Sequence, residues 1–266
     1  MSGPGRYQPH PPRASGAAAL AGSHPPGHGR SVPAGDAPPP AARLARELLL
    51  AVVGLAVAEV TFAVLVGAGV VPNGSMTAGA LRTMAAAAVY ALLARALPEA
   101  VPAAGEPPAR ARRAAAAAAL AGVAALAGSY GLGLVLEAAG LAPREQAAVL
   151  ELVERLRATG GPLDHLAFVT ATCVLAPVAE EWLFRGLLFR RLRAAGGLPW
   201  AYALSSLLFA AIHQNPSGFV IYTWLGLCFA WPVAHTGRFA PAVAAHATNN
   251  AVVVALLYAG VALTAQ

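Results

Sequence analysis

The sequence predicts an all-α membrane protein, a polytopic bundle of about seven transmembrane helices behind a polar N-terminal tail. Of its 266 residues, 58% are hydrophobic and only 11% are charged, whereas a soluble domain carries about 25% charged residues. Apolar runs of about 20 residues, the length that crosses a bilayer core, recur between turns rich in Gly, Pro and Arg. These observations exclude a soluble globular domain.

The chain divides into a tail and a membrane domain. Residues 1–41 are rich in Pro, Gly, Ala, Ser and His without apolar periodicity, which is typical of a disordered tail. Residues 42–266 form the predicted transmembrane domain, and a charged amphipathic helix over 143–159 is predicted to lie at the membrane interface. The predicted spans are 44–71, 78–97, 114–139, 166–188, 200–213, 219–234 and 241–261.

Positive charge follows the predicted membrane flanks. All 18 basic residues are arginine, and the net charge is +6. With the N-terminus inside, ten arginines fall in the inner flanks and three in the outer loops, in agreement with the positive-inside rule. We therefore expect a multi-pass protein of the cell membrane with a cytoplasmic N-terminus. Its partner is the lipid bilayer, and the charge gives no case for nucleic acid.

Two adjacent carboxylates, Glu180 and Glu181, interrupt the fourth predicted span. A charge near the bilayer centre costs roughly 2.5–3.5 kcal/mol on insertion scales, so both acids must be paired, protonated or facing a water-filled cavity. Arg185 lies four residues after Glu181 and can pair with it on one helix face, which leaves Glu180 without a local partner. Pro177 removes a backbone hydrogen bond beside the acids. A purely structural ion pair is the alternative interpretation of this pattern.

Further polar residues recur in the later spans. Phe209 and His213 share a face of the fifth, and His246 and Asn250 share a face of the seventh. If these faces converge with Glu180, the carboxylate can take a proton from water while imidazole and amide groups donate to an oxyanion. This inventory suits hydrolysis of an amide or ester inside the membrane.

A catalytic metal is the second interpretation of the same residues. Glu180, His213 and His246 would give a three-ligand zinc site with an open position for water. No His-Glu-x-x-His zinc motif is present. No cofactor is therefore assigned, and Zn²⁺ stays open.

The motifs Glu180-Glu181-x-x-x-Arg185, Phe209-x-x-x-His213 and His246-x-x-x-Asn250, in this order, resemble the CPBP family of intramembrane proteases. The family includes the type II CAAX prenyl endopeptidases and the bacterial Abi proteins, and the resemblance covers about residues 165–258. It implies a helical membrane endopeptidase acting on membrane-associated peptides. Family members of the eukaryotic branch remove a C-terminal tripeptide from prenylated proteins. The use of arginine alone, with much Ala, Gly and Pro, is typical of a GC-rich genome. We expect the protein in a bacterial plasma membrane.

The resemblance also implies a role for each motif residue. Glu180 corresponds to the water-activating acid, with His213 assisting it, and Glu181 with Arg185 to the pair that positions the site. His246 and Asn250 correspond to oxyanion stabilisers. The family is labelled both as metalloproteases and as glutamate proteases without metal, and we favour the second. The rival functions are a non-catalytic scaffold or bacteriocin-immunity protein, and a proton-coupled transporter.

Overall fold

The computed structural model of the chain describes residues 39–70, 76–96, 111–144 and 146–261. Most of the predicted tail, residues 1–38, lies outside them. The described residues form eight helices and no strand, which confirms the predicted all-α class. The helices are α1 Pro40–Gly67, α2 Met76–Ala96, α3 Ala111–Ala138, α4 Ala147–Thr159, α5 Pro162–Gly196, α6 Leu198–Ile212, α7 Phe219–Thr236 and α8 Ala240–Tyr258.

Five of these helices, α1, α3, α5, α7 and α8, are long and apolar enough to cross a membrane. Two more, α2 and α6, are apolar over shorter stretches. The predicted helical membrane bundle is thus confirmed, and each predicted span has its helix. However, α6 has 15 residues and is about 22 Å long at 1.5 Å per residue, less than the ~30 Å of a hydrocarbon core. The number of helices that cross fully stays a prediction.

Helix α4 has the amphipathic pattern predicted for it. Val153 and Leu156 are buried against Phe168 of α5 and Leu257 of α8. Leu150 on the same helix is 40% exposed and lies outside this buried face. Gly160 and Gly161 separate α4 from α5, where the sequence predicted a break.

Small residues on α3 allow close packing against α7 and α8. The indole N–H of Trp224 on α7 donates a hydrogen bond of 3.0 Å to the carbonyl of Ala124 on α3. A methyl group at Gly128 would lie only 2.2 Å from the same indole nitrogen. Glycine at this position therefore lets the two helices approach each other.

The first two helices are fixed to α5 by a buried ion pair. Glu47 of α1 is 2% exposed and accepts a hydrogen bond of 2.7 Å from the guanidinium of Arg191, near the end of α5. The hydroxyl of Tyr90 on α2 donates to the same carboxylate over 3.4 Å. Elsewhere on these helices, Glu59 and Arg82 form an ion pair at 3.3 Å.

We predict that Glu47→Ala destabilises the bundle strongly, because it leaves the Arg191 guanidinium without its buried partner. The expected loss is about 3–5 kcal/mol, the usual cost of breaking a buried pair from one side. The matched control is Glu151→Ala on the exposed face of α4, for which we expect a change within about 0.5 kcal/mol. Unfolding midpoints in detergent measure both, and equal midpoints would contradict the prediction.

Candidate active site

The acid motif lies near the middle of α5, where the helix changes its winding twice. Residues Ala171–Leu175 and Trp182–Phe189 are π-helical, and the α-helical turn between them, Ala176–Glu181, contains Pro177 and both acids. Proline has no N–H to donate, and its ring clashes with the carbonyl four residues earlier. The first wide turn relieves that clash, and such turns often occur at functional sites. The local loosening predicted at Pro177 therefore takes this form.

Glu181 and Arg185 form the predicted pair in a fully buried position. Both side chains are 0% exposed, and Arg185 Nη1 donates to Glu181 Oε1 over 3.0 Å. Arg185 Nη2 donates to the backbone carbonyl of Gly226 on α7 over 2.7 Å. Burying a guanidinium is costly unless its charge is paired and its N–H groups are hydrogen-bonded. Both Nη atoms of Arg185 have acceptors, whereas its Nε has no hydrogen-bond partner among the described residues. The bond to Gly226 connects α5 directly to α7.

Three phenylalanine rings surround the Arg185 guanidinium. Its central carbon lies 4.5 Å from the ring centroid of Phe209 on α6, and 5.8 Å from those of Phe184 and Phe229. Desolvated cation–π contacts stabilise a cation by about 2 kcal/mol. Phe209 of the Phe209-x-x-x-His213 motif therefore lies against the positioning arginine as well as against its own histidine.

His246 of α8 also binds Glu181. Its Nδ1 lies 2.9 Å from Glu181 Oε1, and its ring is 4% exposed. Because an ionised carboxylate only accepts hydrogen bonds, Nδ1 carries the proton. The opposite nitrogen, Nε2, faces Glu180 Oε2 at 3.9 Å. His246 is thus oriented by one acid of the motif and presented to the other.

His213 presents its ring in the same manner. It lies just beyond the last residue of α6, and its Nδ1 is 2.7 Å from the carbonyl oxygen of Phe209. A carbonyl accepts only, so Nδ1 again carries the proton. Its Nε2 lies 3.9 Å from Glu180 Oε2, the same oxygen that His246 faces.

Glu180 is the acid on which both imidazoles converge. Its Oε2 is buried and makes no hydrogen bond to any residue that the structure describes. Buried polar atoms in proteins are nearly always hydrogen-bonded, and an exception has a cause such as a bound water or ion or a catalytic role. Glu181 Oε2 beside it is also buried without a hydrogen-bond partner among the described residues. The geometry therefore brings Glu180, His213 and His246 together around one unsatisfied carboxylate oxygen.

Asn250 is positioned beside this cluster through different partners. Its side-chain nitrogen donates to the carbonyl of Thr172 over 2.9 Å, and Asn249 donates to its side-chain oxygen over 3.4 Å. Thr172 belongs to the first π-helical segment of α5. A side-chain amide has two N–H groups, so one remains for another acceptor.

Sequence reasoning missed the contribution of α7. On this helix Tyr222 stacks on His213 with ring centroids 4.1 Å apart, and Phe229 stacks on His246 at 4.5 Å. Gly226, whose carbonyl binds Arg185, lies between them in sequence. The spacing of i, i+4 and i+7 on one helical face was a signal, but the chain there reads as an ordinary apolar span.

The same side chains do not form a zinc site as they are placed. Among the described residues, no three His, Cys, Asp or Glu side chains lie together so that they could hold a metal ion. Glu180 Oε2 is 3.9 Å from each histidine nitrogen. Ligand atoms on tetrahedral zinc lie about 3.3 Å apart, because the bonds are about 2.0–2.1 Å long. The chemistry below therefore uses the protein groups alone.

Comparison with known proteins agrees with the resemblance predicted from the motifs. Residues 162–252 match the family described as "Type II CAAX prenyl endopeptidase Rce1-like". A Bacillus subtilis (strain 168) protein described as "Putative membrane peptidase YdiL" is 29% identical over 86 residues, which are 32% of this chain and 35% of that protein. The match thus spans about a third of the relative's length. No solved structure gave a significant match.

We predict that Arg185→Met lowers stability by about 3–5 kcal/mol, because it leaves the Glu181 carboxylate buried without its cation. Adding Glu181→Gln removes that charge, so the double variant should be at least about 1 kcal/mol more stable than the sum of the single losses. Arg193→Met, on an exposed arginine of the same helix, is the control. Thermal midpoints in detergent measure the set, and strictly additive losses would contradict the pairing.

Proposed function

We propose that this membrane protein, whose residues 162–252 match the Rce1-like family, is a CPBP-type intramembrane endopeptidase that uses a glutamate-activated water. The observation that supports the proposal is the unsatisfied Glu180 Oε2 facing two imidazole nitrogens at 3.9 Å. The substrate is a peptide or protein associated with the membrane, and a CAAX-like C-terminus is one form it could take. The site residues are Glu180, Glu181, Arg185, His213, His246 and Asn250.

The first step activates water. A water molecule that bridges Glu180 Oε2 and the two Nε2 atoms gives one proton to Glu180 while its oxygen attacks the scissile carbonyl carbon. The Nδ1–H of His213 is hydrogen-bonded to the carbonyl of Phe209, so the Nε2 lone pair accepts a hydrogen bond from the second O–H of the water. The role of His213 is thus to orient the nucleophile.

The second step stabilises charge and releases the amine. Oxyanion stabilisation falls to His246 Nε2–H and to the remaining amide N–H of Asn250. For His246 to donate there while its Nδ1–H binds Glu181, the ring carries both protons in this step. Glu180 then returns its proton to the leaving nitrogen as the C–N bond breaks. The products are a carboxylic acid and an amine.

Water reaches this site because α6 is short. His213 lies at the C-terminal end of a helix of 15 residues, so the chain leaves helical structure beside the site rather than at the far end of a full span. Non-helical backbone at membrane depth is tolerated where it borders a water-filled cavity. The loop 213–218 is thus the entry route that we propose for the hydrolytic water.

We predict that Glu180→Gln lowers cleavage of a quenched peptide library by about 10²–10⁴-fold, because an amide cannot accept the proton of water. His213→Ala should also lower cleavage, whereas the exposed acid variant Glu151→Gln should keep the parental rate. Purified protein in detergent is suitable, with folding checked by its thermal midpoint. Folded Glu180→Gln protein that cleaves at the parental rate would refute the mechanism, and a cellular effect that survives it would favour the scaffold or immunity function.

We also predict that a strong chelator leaves cleavage by the parent unchanged, because the described ligands lie too far apart for zinc. Activity and metal content are measured together on the same purified sample. Loss of cleavage on chelation and recovery with zinc would overturn the metal-free mechanism while keeping the peptidase assignment. Glu180→Gln protein provides the blank for both measurements.

A further inference from the structure

We propose that Tyr222 is a positioning residue, and that its stacked ring holds the His213 imidazole in the orientation that faces Glu180. The inference rests on the proposed peptidase function for its kinetic consequence, and on geometry alone for the contact. Tyr222 belongs to α7, the helix on which the sequence gave no candidate residue.

His213 needs such support because of where it lies. It follows the last residue of α6, and the next residue, Gln214, has a left-handed φ of +50°. Its Nδ1 bond to Phe209 comes from its own helix and fixes one edge of the ring. Rotation about that edge would carry Nε2 away from Glu180. A second contact from another helix is therefore required to fix the plane.

Tyr222 provides that contact. Its ring is parallel to the imidazole within 22°, with centroids 4.1 Å apart. Aromatic pairs of this kind contribute about 0.5–1.5 kcal/mol beyond the area they bury. The Tyr222 hydroxyl accepts a hydrogen bond of 3.2 Å from Gln146, the residue before α4. This bond holds the Tyr222 ring from a residue outside helices α5–α8.

The same helix offers a matched control. Trp231 stacks on His235 with centroids 4.9 Å apart and an angle of 11°. That pair resembles the pair formed by Tyr222 and His213, but it lies near the end of α7, and His235 contacts Arg113 rather than the acids. Removing the Trp231 ring therefore disturbs an equivalent stack on α7 without touching the site.

The kinetic test compares Tyr222→Leu, Tyr222→Phe and Trp231→Leu on the quenched peptide library. We expect Tyr222→Leu to lower kcat by about threefold to tenfold, the factor that corresponds to the energy of an aromatic pair, with KM changed less. Tyr222→Phe should keep most of the rate, because it keeps the stacked ring and loses only the hydroxyl that binds Gln146. Equal losses in the leucine and phenylalanine variants, or an equal loss in Trp231→Leu, would overturn the proposal.

A second readout does not depend on catalysis. Carbethoxylation of each histidine by diethyl pyrocarbonate is followed by peptide mass spectrometry on the same folded samples. Tyr222→Leu should raise the rate at His213 by about twofold or more relative to His235, and Trp231→Leu should do the reverse. An unchanged carbethoxylation rate at His213 would overturn the proposed role of Tyr222. If the two variants change the reactivities of His213 and His235 in opposite directions while the parent cleaves no peptide, the peptidase proposal fails. The positioning of His213 by Tyr222 then stands.

Discussion

The buried charge of Arg185 is the constraint on which the C-terminal bundle depends. A guanidinium with no exposed surface must find its counter-ion, its hydrogen-bond acceptors and its aromatic contacts within the protein. Here these come from Glu181 on its own helix, the carbonyl of Gly226 on α7, and the ring of Phe209 on α6. Helix α8 joins through His246, which binds the same carboxylate oxygen as the arginine. Four helices thus converge because one cation must be compensated, and Glu180 faces the two imidazoles instead of the arginine.

The sequence predicted much of this arrangement because its chemistry is local. The pairing of Glu181 with Arg185 follows from i,i+4 spacing, and the membrane helices follow from apolar length. It could not predict that Gly226 would accept from the arginine, because a backbone carbonyl carries no signature in sequence. Tyr222 and Phe229 were missed for a related reason. An aromatic residue in an apolar helix gives the same sequence pattern whether it faces lipid or stacks on an imidazole. Only tertiary packing distinguishes the two.

The helices outside the matched segment also belong to the architecture of the site. Helix α2 packs against the turn of α5 that contains both acids, and α1 packs against the end of α5. The pairing of Glu47 with Arg191 fixes that end. These contacts support α5 in addition to those from α7 and α8, so that a helix with two π-helical segments keeps a defined path. No local motif marks Glu47, because its partner is 144 residues away.

Because α6 is short, the thickness of the surrounding bilayer would affect the site. Trp200 is 52% exposed and Leu207 is 42% exposed, so this helix, if it lies in the bilayer as predicted, presents an apolar surface that is shorter than the hydrocarbon core. A bilayer responds to such mismatch by thinning locally, at fractions of a kcal/mol per Å. Thinning beside α6 would bring headgroups and their hydration towards its end, where His213 lies. Acyl-chain length in the surrounding membrane would then regulate hydration at the candidate site, without any change in the protein.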